Sequence, residues 1–309
     1  MRIETHLDTP FLVVSAWTGY RKAGIIMIHT SPRSANMLNP EVHRVEPQSS
    51  FKLAELNPAG TNGLHLSKKE SKALLSDLRG RMADLQERLY AESNQALLVV
   101  LQAMDTGGKD STIRAVTEGV NPQGVWVRSF KAPSKRELAR DYLWRVHREV
   151  PPKGQIGIFN RSHYEDVLIV RVHGWASPAA IDARYDQINQ FEQLLHGTGT
   201  RVLKIMLNIS KDYQLERLRR RLGRPDKHWK FNPGDLQERA LWQAYMEAYE
   251  VAIGRCSTKT APWYVIPAET RWYRNLAIAQ LIVNTLESMD PQFPAPTFDP
   301  AEFAPESLI

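Results

Sequence analysis

The stretch of the 309-residue chain best suited to chemistry reads LQAMDTGGKDST, residues 101–112. Gly107 and Gly108 free the backbone to turn its amides outward, and Lys109 supplies a cation that can bridge two phosphates. The stretch departs from the standard phosphate loop G-x-x-x-x-G-K-[ST]. Ala103 stands where the first glycine belongs, Asp110 follows Lys109, and the hydroxyls of Ser111 and Thr112 come one position late. Asp105 and Asp110 would repel a phosphate unless a divalent cation stood between them. Asp105 therefore reads as a ligand of Mg²⁺, with Mn²⁺ able to substitute. Taken alone, GGKD also fits a plain turn and helix cap.

A second cluster, FNRSHYED over residues 159–166, follows an apolar run. Arg161 suits a phosphate, while Glu165 or Asp166 suits a metal, a ribose or a base, and Asn160 adds a neutral polar group. At the carboxyl edge of an open α/β sheet these would converge on the crevice that holds Lys109. A third segment, RLRRRLGRPDKHWK over residues 217–230, carries five Arg and two Lys against one acid, Asp226. Such runs are commonly solvated faces, and nucleic acid is another reading. Its position after a strand and a short helix, with breaks at Gly223 and Pro225, favours a mobile lid instead. Arg217, Arg221, Arg224, Lys227 and Lys230 would then offset charge in a phosphoryl-transfer transition state. The nine histidines show no metal spacing.

These segments need a scaffold, and the hydrophobic pattern supplies one. Ser67 and Glu70 form a capping box, and Leu74, Leu78, Met82, Leu85 and Leu89 follow at helical spacing. The continuous apolar run at 96–102 predicts a strand buried on both faces. Helix is predicted over 110–118, 135–149 (capped by Ser134), 179–195, 211–222, 235–253 and 272–287. Strands are predicted at 125–131, 156–160, 201–210 and 262–267. Alternating strands and helices give an α/β fold, with a parallel sheet and helices on both faces. The aromatic residues around Trp242 and Trp272 fit core packing.

Residues 1–66 are expected to be an amino-terminal extension or arm, of which 1–36 is disordered or the product of a start site chosen too early. The core domain spans 67–290, the lid about 217–235, and a Pro-rich tail 291–309. Composition is that of a globular chain, 42% hydrophobic and 24% charged, with no apolar run long enough to cross a membrane. The net charge of +6 leans toward anionic partners. One cysteine, Cys256, allows no internal disulfide and fits a reducing compartment, the cytoplasm.

In their order and spacing, MDTGGKDST, VNPQG, SFKAPS, IGIFNRSHYEDVLIVRVH, PDKHWKFNP, APWYVIPA and WYRN make the chain resemble the polyphosphate kinase 2 family from about residue 85 to 286. The GGKD loop and the FNRS-x-YE form are most like the subgroup that accepts both AMP and ADP. The resemblance implies a P-loop kinase-like three-layer sandwich with an arginine-rich lid. It implies reversible, Mg²⁺-dependent transfer of the terminal phosphoryl group of inorganic polyphosphate to ADP and AMP, or their guanine counterparts. By position, Asp105 matches the loop carboxylate that binds metal, Lys109 the loop lysine, Arg221 the lid arginine, and Glu165 the acid of the AMP-accepting form. Asn160 stands where an Asp form would bind metal directly, so Asp105 carries more of that burden. Gly223-Arg224 replaces a more acidic or amide pair. Polyphosphate, nucleotides and a second copy of the chain are the expected partners; nucleic acid and membrane are not. An ATP-dependent nucleotide or nucleoside kinase and a non-catalytic polyanion-binding protein are the competing readings.

Overall fold

The computed structural model describes residues 38–302, so the expectations for residues 1–36 and for the last seven residues of the tail lie outside the described residues. Among the described residues, a short 3-10 turn (Pro40–His43) leads into a two-residue strand of the arm, β1 (Arg44–Val45), which the sequence did not announce. Ser67 then caps α1 (Lys68–Glu92), and both halves of the predicted capping box form. The run ALLVVLQ becomes β2 (Ala96–Gln102), in which every residue is buried. The phosphate-type loop connects it to α2 (Lys109–Thr117), and β3 (Val125–Ser129) follows.

The helix predicted over 135–149 is broken into α3 (Lys135–Leu138) and α4 (Trp144–His147). The cause is Asp141, whose Oδ1 accepts from the amides of Leu143 and Trp144 at 3.1 and 2.9 Å. A short carboxylate that bonds nearby amides competes with the helix ladder and starts a new turn. Next come β4 (Ile156–Asn160), α5 (Ile169–Val172), α6 (Pro178–Gly197), β5 (Thr200–Asn208) and α7 (Lys211–Leu222). The helix predicted over 235–253 is also two helices, α8 (Gly234–Ala240) and α9 (Trp242–Cys256). At Leu241 the ladder tightens to an i→i+3 bond, from Leu241 N to Glu238 O. That turn brings Tyr245 Oη within 2.5 Å of the Glu238 carboxylate, which His173 also meets at 3.0 Å. Strand β6 (Trp263–Pro267) and α10 (Arg271–Met289) complete the order.

The six strands among the described residues lie in the order β1-β6-β5-β2-β4-β3, all parallel except β1, which pairs antiparallel with β6. Helices α1, α2 and α10 pack on one another, and α6 packs with α9. Because β2 is buried on both faces, the two groups cover opposite sides of the sheet. The loops after β2 and β4 emerge at one edge, since Leu101 of β2 pairs with Asn160 of β4. This is where the fold gathers the reactive clusters.

A charged cluster sits in the core. Lys204 of β5 is fully buried, and its Nζ donates to Glu192 Oε2 (2.5 Å), Tyr164 Oη (3.0 Å) and Cys256 O (2.6 Å). Glu192 Oε1 also accepts from Tyr164 Oη at 2.9 Å and lies 3.2 Å from His163 Nε2. Burial opposes ionisation of Glu192, but Lys204 and His163 outweigh it and hold its carboxyl below the usual range. Glu192→Leu, which strands the Lys204 charge, is expected to cost about 3–5 kcal/mol in denaturant unfolding; adding Lys204→Met should recover most of it. A single variant as stable as wild type would show the pair to be irrelevant to folding.

Candidate active site

The loop between β2 and α2 turns through two left-handed residues, Thr106 (φ 66°) and Gly108 (φ 99°). The left-handed backbone favours glycine at 108, and a Cβ there would also displace the Arg274 guanidinium. Gly107 has no more room: a Cβ would come within 2.7 Å of the Ala103 Cβ and 2.9 Å of Met104 O. Ala103, the departure from the standard motif, is thus one reason position 107 stays glycine. Lys109 opens α2 with 9% of its surface exposed, and its Nζ donates to Ala103 O at 2.8 Å. Burial and the neighbouring Arg161 bring its pKa down to about 8. The Thr106 and Thr112 hydroxyls are buried without hydrogen-bond partners among the described residues.

Behind the loop lies a residue not singled out from the sequence. Arg274, 2% exposed, reaches from the first turn of α10 and donates to Ser111 Oγ at 3.2 Å. Burial, with Arg271 and Arg217 nearby, lowers its pKa to about 10, so a cation is held against the phosphate loop at an electrostatic penalty. A bound anion would relieve it.

The β4 edge meets this loop. Arg161, itself left-handed (φ 64°), donates to Asp105 Oδ1 at 2.5 Å and lies 3.6 Å from Glu165 Oε2. Burial disfavours its charge, but Glu165 and Asp105 outweigh it and raise the guanidinium's pKa. Asn160 Nδ2 donates to Asp110 Oδ1 at 2.9 Å. The arginine segment closes over the loop through Lys230, 3.4 Å from Asp110 Oδ2. Arg221 donates to Lys230 O at 3.2 Å and meets Asp235 at 3.4 Å. Gln214 of α7 donates to Asp105 O at 3.0 Å, tying that helix to the loop.

Together these elements enclose an open cleft of about 650 Å³. Its lining takes in Asp105, Gly107, Gly108, Lys109, Asp110 and Ser111 from the loop, Asn160 and Arg161 at the end of β4 and just beyond it, and Arg217, Arg221, Arg224, Lys227 and Lys230 from the arginine segment. Thr112 and Glu165 lie outside the lining. So does Asp166, which the sequence assigned to a nucleotide: burial lifts its carboxyl to about 6, and it stands 3.8 Å from Arg184 of α6. The short turn over His163–Asp166 rotates successive side chains apart, so Glu165 points to Arg161 and Asp166 into the packing with α6. Lys131, Arg220 and Arg271 also line the cleft, though sequence reasoning gave them no role. Their signal was positional: Lys131 follows β3 and Arg271 follows β6, both at the carboxyl edge of the sheet.

Among the described residues, ten Lys and Arg line the cleft against two Asp, so the site suits a polyanion. Among the described residues no three His, Cys, Asp or Glu side chains stand together as a metal cage. Mg²⁺ seldom needs one; it commonly takes one or two carboxylates and completes its shell with water and substrate phosphates. Asp105, on the cleft wall beside the unpartnered Thr106 hydroxyl, is a donor of that kind.

A parallel α/β sheet with a glycine-lysine loop at its carboxyl edge and an arginine segment over it defines a phosphotransferase of the P-loop kinase-like class. The chain belongs to the polyphosphate kinase 2 (PPK2) family, whose sequence pattern matches residues 65–294. It is 52% identical over 267 residues to an AMP/ADP-polyphosphate phosphotransferase of Meiothermus ruber, covering 86% of this chain and 98% of that protein. It is 43% identical to an ADP-polyphosphate phosphotransferase of Rhodopseudomonas palustris, covering 78% and 87% of the two chains. The crystal structure of polyphosphate kinase 2 from Arthrobacter aurescens TC1 superposes with a TM-score of 0.82 at 48% identity, over 85% of this chain and 94% of that one.

Proposed function

We propose that the cleft transfers the terminal phosphoryl group of inorganic polyphosphate to ADP and AMP, or their guanine counterparts, and runs in reverse when ATP is abundant. The observation that carries this reading is the lining itself: ten cations around a loop whose amides and helix end face the same space. The AMP- and ADP-using relative and the FNRS-x-YE turn support the choice of acceptors. In the transfer, the bond from the terminal phosphorus to its bridging oxygen breaks and a bond to an acceptor phosphate oxygen forms. The shortened chain keeps the bridging oxygen. Lys109 and the loop amides hold donor phosphates, while Arg161, Arg217 and Arg221 balance charge on the moving group. Asp105 is the residue that would hold Mg²⁺, or Mn²⁺ in its place, which would supply further positive charge against the donor phosphates. No protein nucleophile is needed, and His163 and Cys256 are buried away from the cleft.

The test is a time course of AMP, ADP and ATP with polyphosphate and Mg²⁺, in which ATP should accumulate. Transfer from ATP to a nucleoside, with none from polyphosphate, would decide for an ATP-dependent kinase. We read residues 217–235 as a lid on a catalytic unit spanning 67–290, in a cytoplasmic homo-oligomer. Arg221→Ala is expected to lower kcat about tenfold or more, with the nucleotide KM within about twofold. A change in affinity alone would make Arg221 a tether.

A further inference from the structure

Three arginines of the segment after β3 share one indole ring. The guanidinium carbons of Arg136, Arg140 and Arg148 lie 5.7, 4.5 and 4.8 Å from the ring centroid of Trp144. All three arginines are exposed. The break at Asp141 makes this arrangement. In an unbroken helix residue 136 would sit about 12 Å along the axis from Trp144, out of reach.

Each guanidinium gains from the ring's electron-rich face, but three like charges around one ring repel. The neighbouring carboxylates are engaged elsewhere. Glu137 accepts from the Ser134 amide and hydroxyl at 2.7 Å, Asp141 caps α4, and Glu149 lies 3.2 Å from Arg128. Arg140 donates to Arg136 O, and none of the three arginines has a carboxylate partner among the described residues. The segment that carries the patch is hydrogen-bonded to the cleft wall. Arg145, next to Trp144 and buried, donates to Lys131 O at 2.8 Å, and Lys131 lines the cleft. The helical turn that bears Trp144 is therefore tied to the cleft through Arg145.

From this geometry we infer that Trp144 and its three arginines form an outer subsite for a phosphate chain, engaging the part of the polyphosphate donor that extends beyond the cleft. The uncompensated charges match a polymer that is anionic along its whole length, and the planar guanidinium fork suits phosphate oxygens. The ring holds the arginines in place, so less freedom is lost when the chain arrives. The inference rests on polyphosphate being the donor.

The test compares wild type with Arg136→Gln/Arg140→Gln/Arg148→Gln in the full chain, using a long polyphosphate and one too short to leave the cleft. Losing three exposed ion pairs should raise the long-chain KM about three- to tenfold. Short-chain kinetics and the unfolding midpoint should stay at wild-type values, and the long-chain salt dependence should become shallower. An unchanged long-chain KM overturns the subsite. So does an equal rise for both lengths, which would assign the arginines to the cleft itself. Loss of single-stranded RNA binding with long-chain kinetics intact makes the patch a nucleic-acid surface and also overturns it. Direct binding of long polyphosphate to both proteins separates this inference from the donor reading. If wild type transfers from no chain, the donor reading fails by itself; weaker binding by the variant would still support the subsite, and equal binding would sink it.

Discussion

Lys109→Ala is expected to turn over at least about a hundredfold more slowly than wild type at saturating substrates, the scale of losing one key electrostatic stabiliser. The ammonium is nearly buried, and its one hydrogen bond among the described residues is to the neutral Ala103 carbonyl. Its charge is thus maintained against burial and against Arg161, which is why its pKa falls to about 8. A phosphate arriving in the cleft gives that charge its partner. Because the pKa in the folded protein lies below the ordinary lysine value, the neutral form appears on the alkaline side. kcat/KM for polyphosphate should accordingly decline as pH rises through about 8, and Lys109→Ala should lack that limb. A wild-type rate in Lys109→Ala would remove the lysine from the mechanism. A pH profile shared by both proteins would assign the decline to another group.

Much of this site could be read from the sequence because its parts are local. A continuous apolar run, a glycine pair and a lysine specify strand, turn and helix without help from distant residues, and β2, the loop and α2 follow that reading. The NRSHYED cluster arrives beside the loop because β4 pairs in parallel with β2. What escaped depends on long-range geometry or on competition between side chain and backbone. Arg274 and Arg271 lie more than 160 residues beyond Gly108 in the sequence and stand next to Trp272 and Tyr273, which read as core. Tyr273 is indeed buried, while Arg274 turns toward Ser111. Strand β1 has only two residues and owes its existence to β6. The breaks at Asp141 and Leu241 interrupt segments whose hydrophobic period is unbroken, so periodicity alone joined them. Asp166 was drawn into the site by sequence proximity to Arg161, but a tight turn sends neighbouring side chains in different directions.

Asp105→Asn should match Lys109→Ala in severity, a fall of at least about a hundredfold in turnover, for a different reason. The carboxylate holds Arg161 at 2.5 Å and is the group proposed to share Mg²⁺ with the donor. Asparagine fills the same space but loses the charge that either role requires. Glu165→Gln separates the two. Glu165 is the other acidic partner of Arg161, at 3.6 Å, yet it lies outside the cleft lining. If Asp105 merely steadies Arg161, the two variants should slow turnover alike and show the same Mg²⁺ requirement. If Asp105 also engages the metal, only Asp105→Asn should shift the half-saturating Mg²⁺ concentration upward, and the Glu165 variant should retain most of its turnover. A Mg²⁺ titration of ATP formation reads both outcomes. An unshifted titration in Asp105→Asn would leave the carboxylate a structural partner of Arg161 and move the search for the metal ligand to Asp110 or to the phosphates themselves.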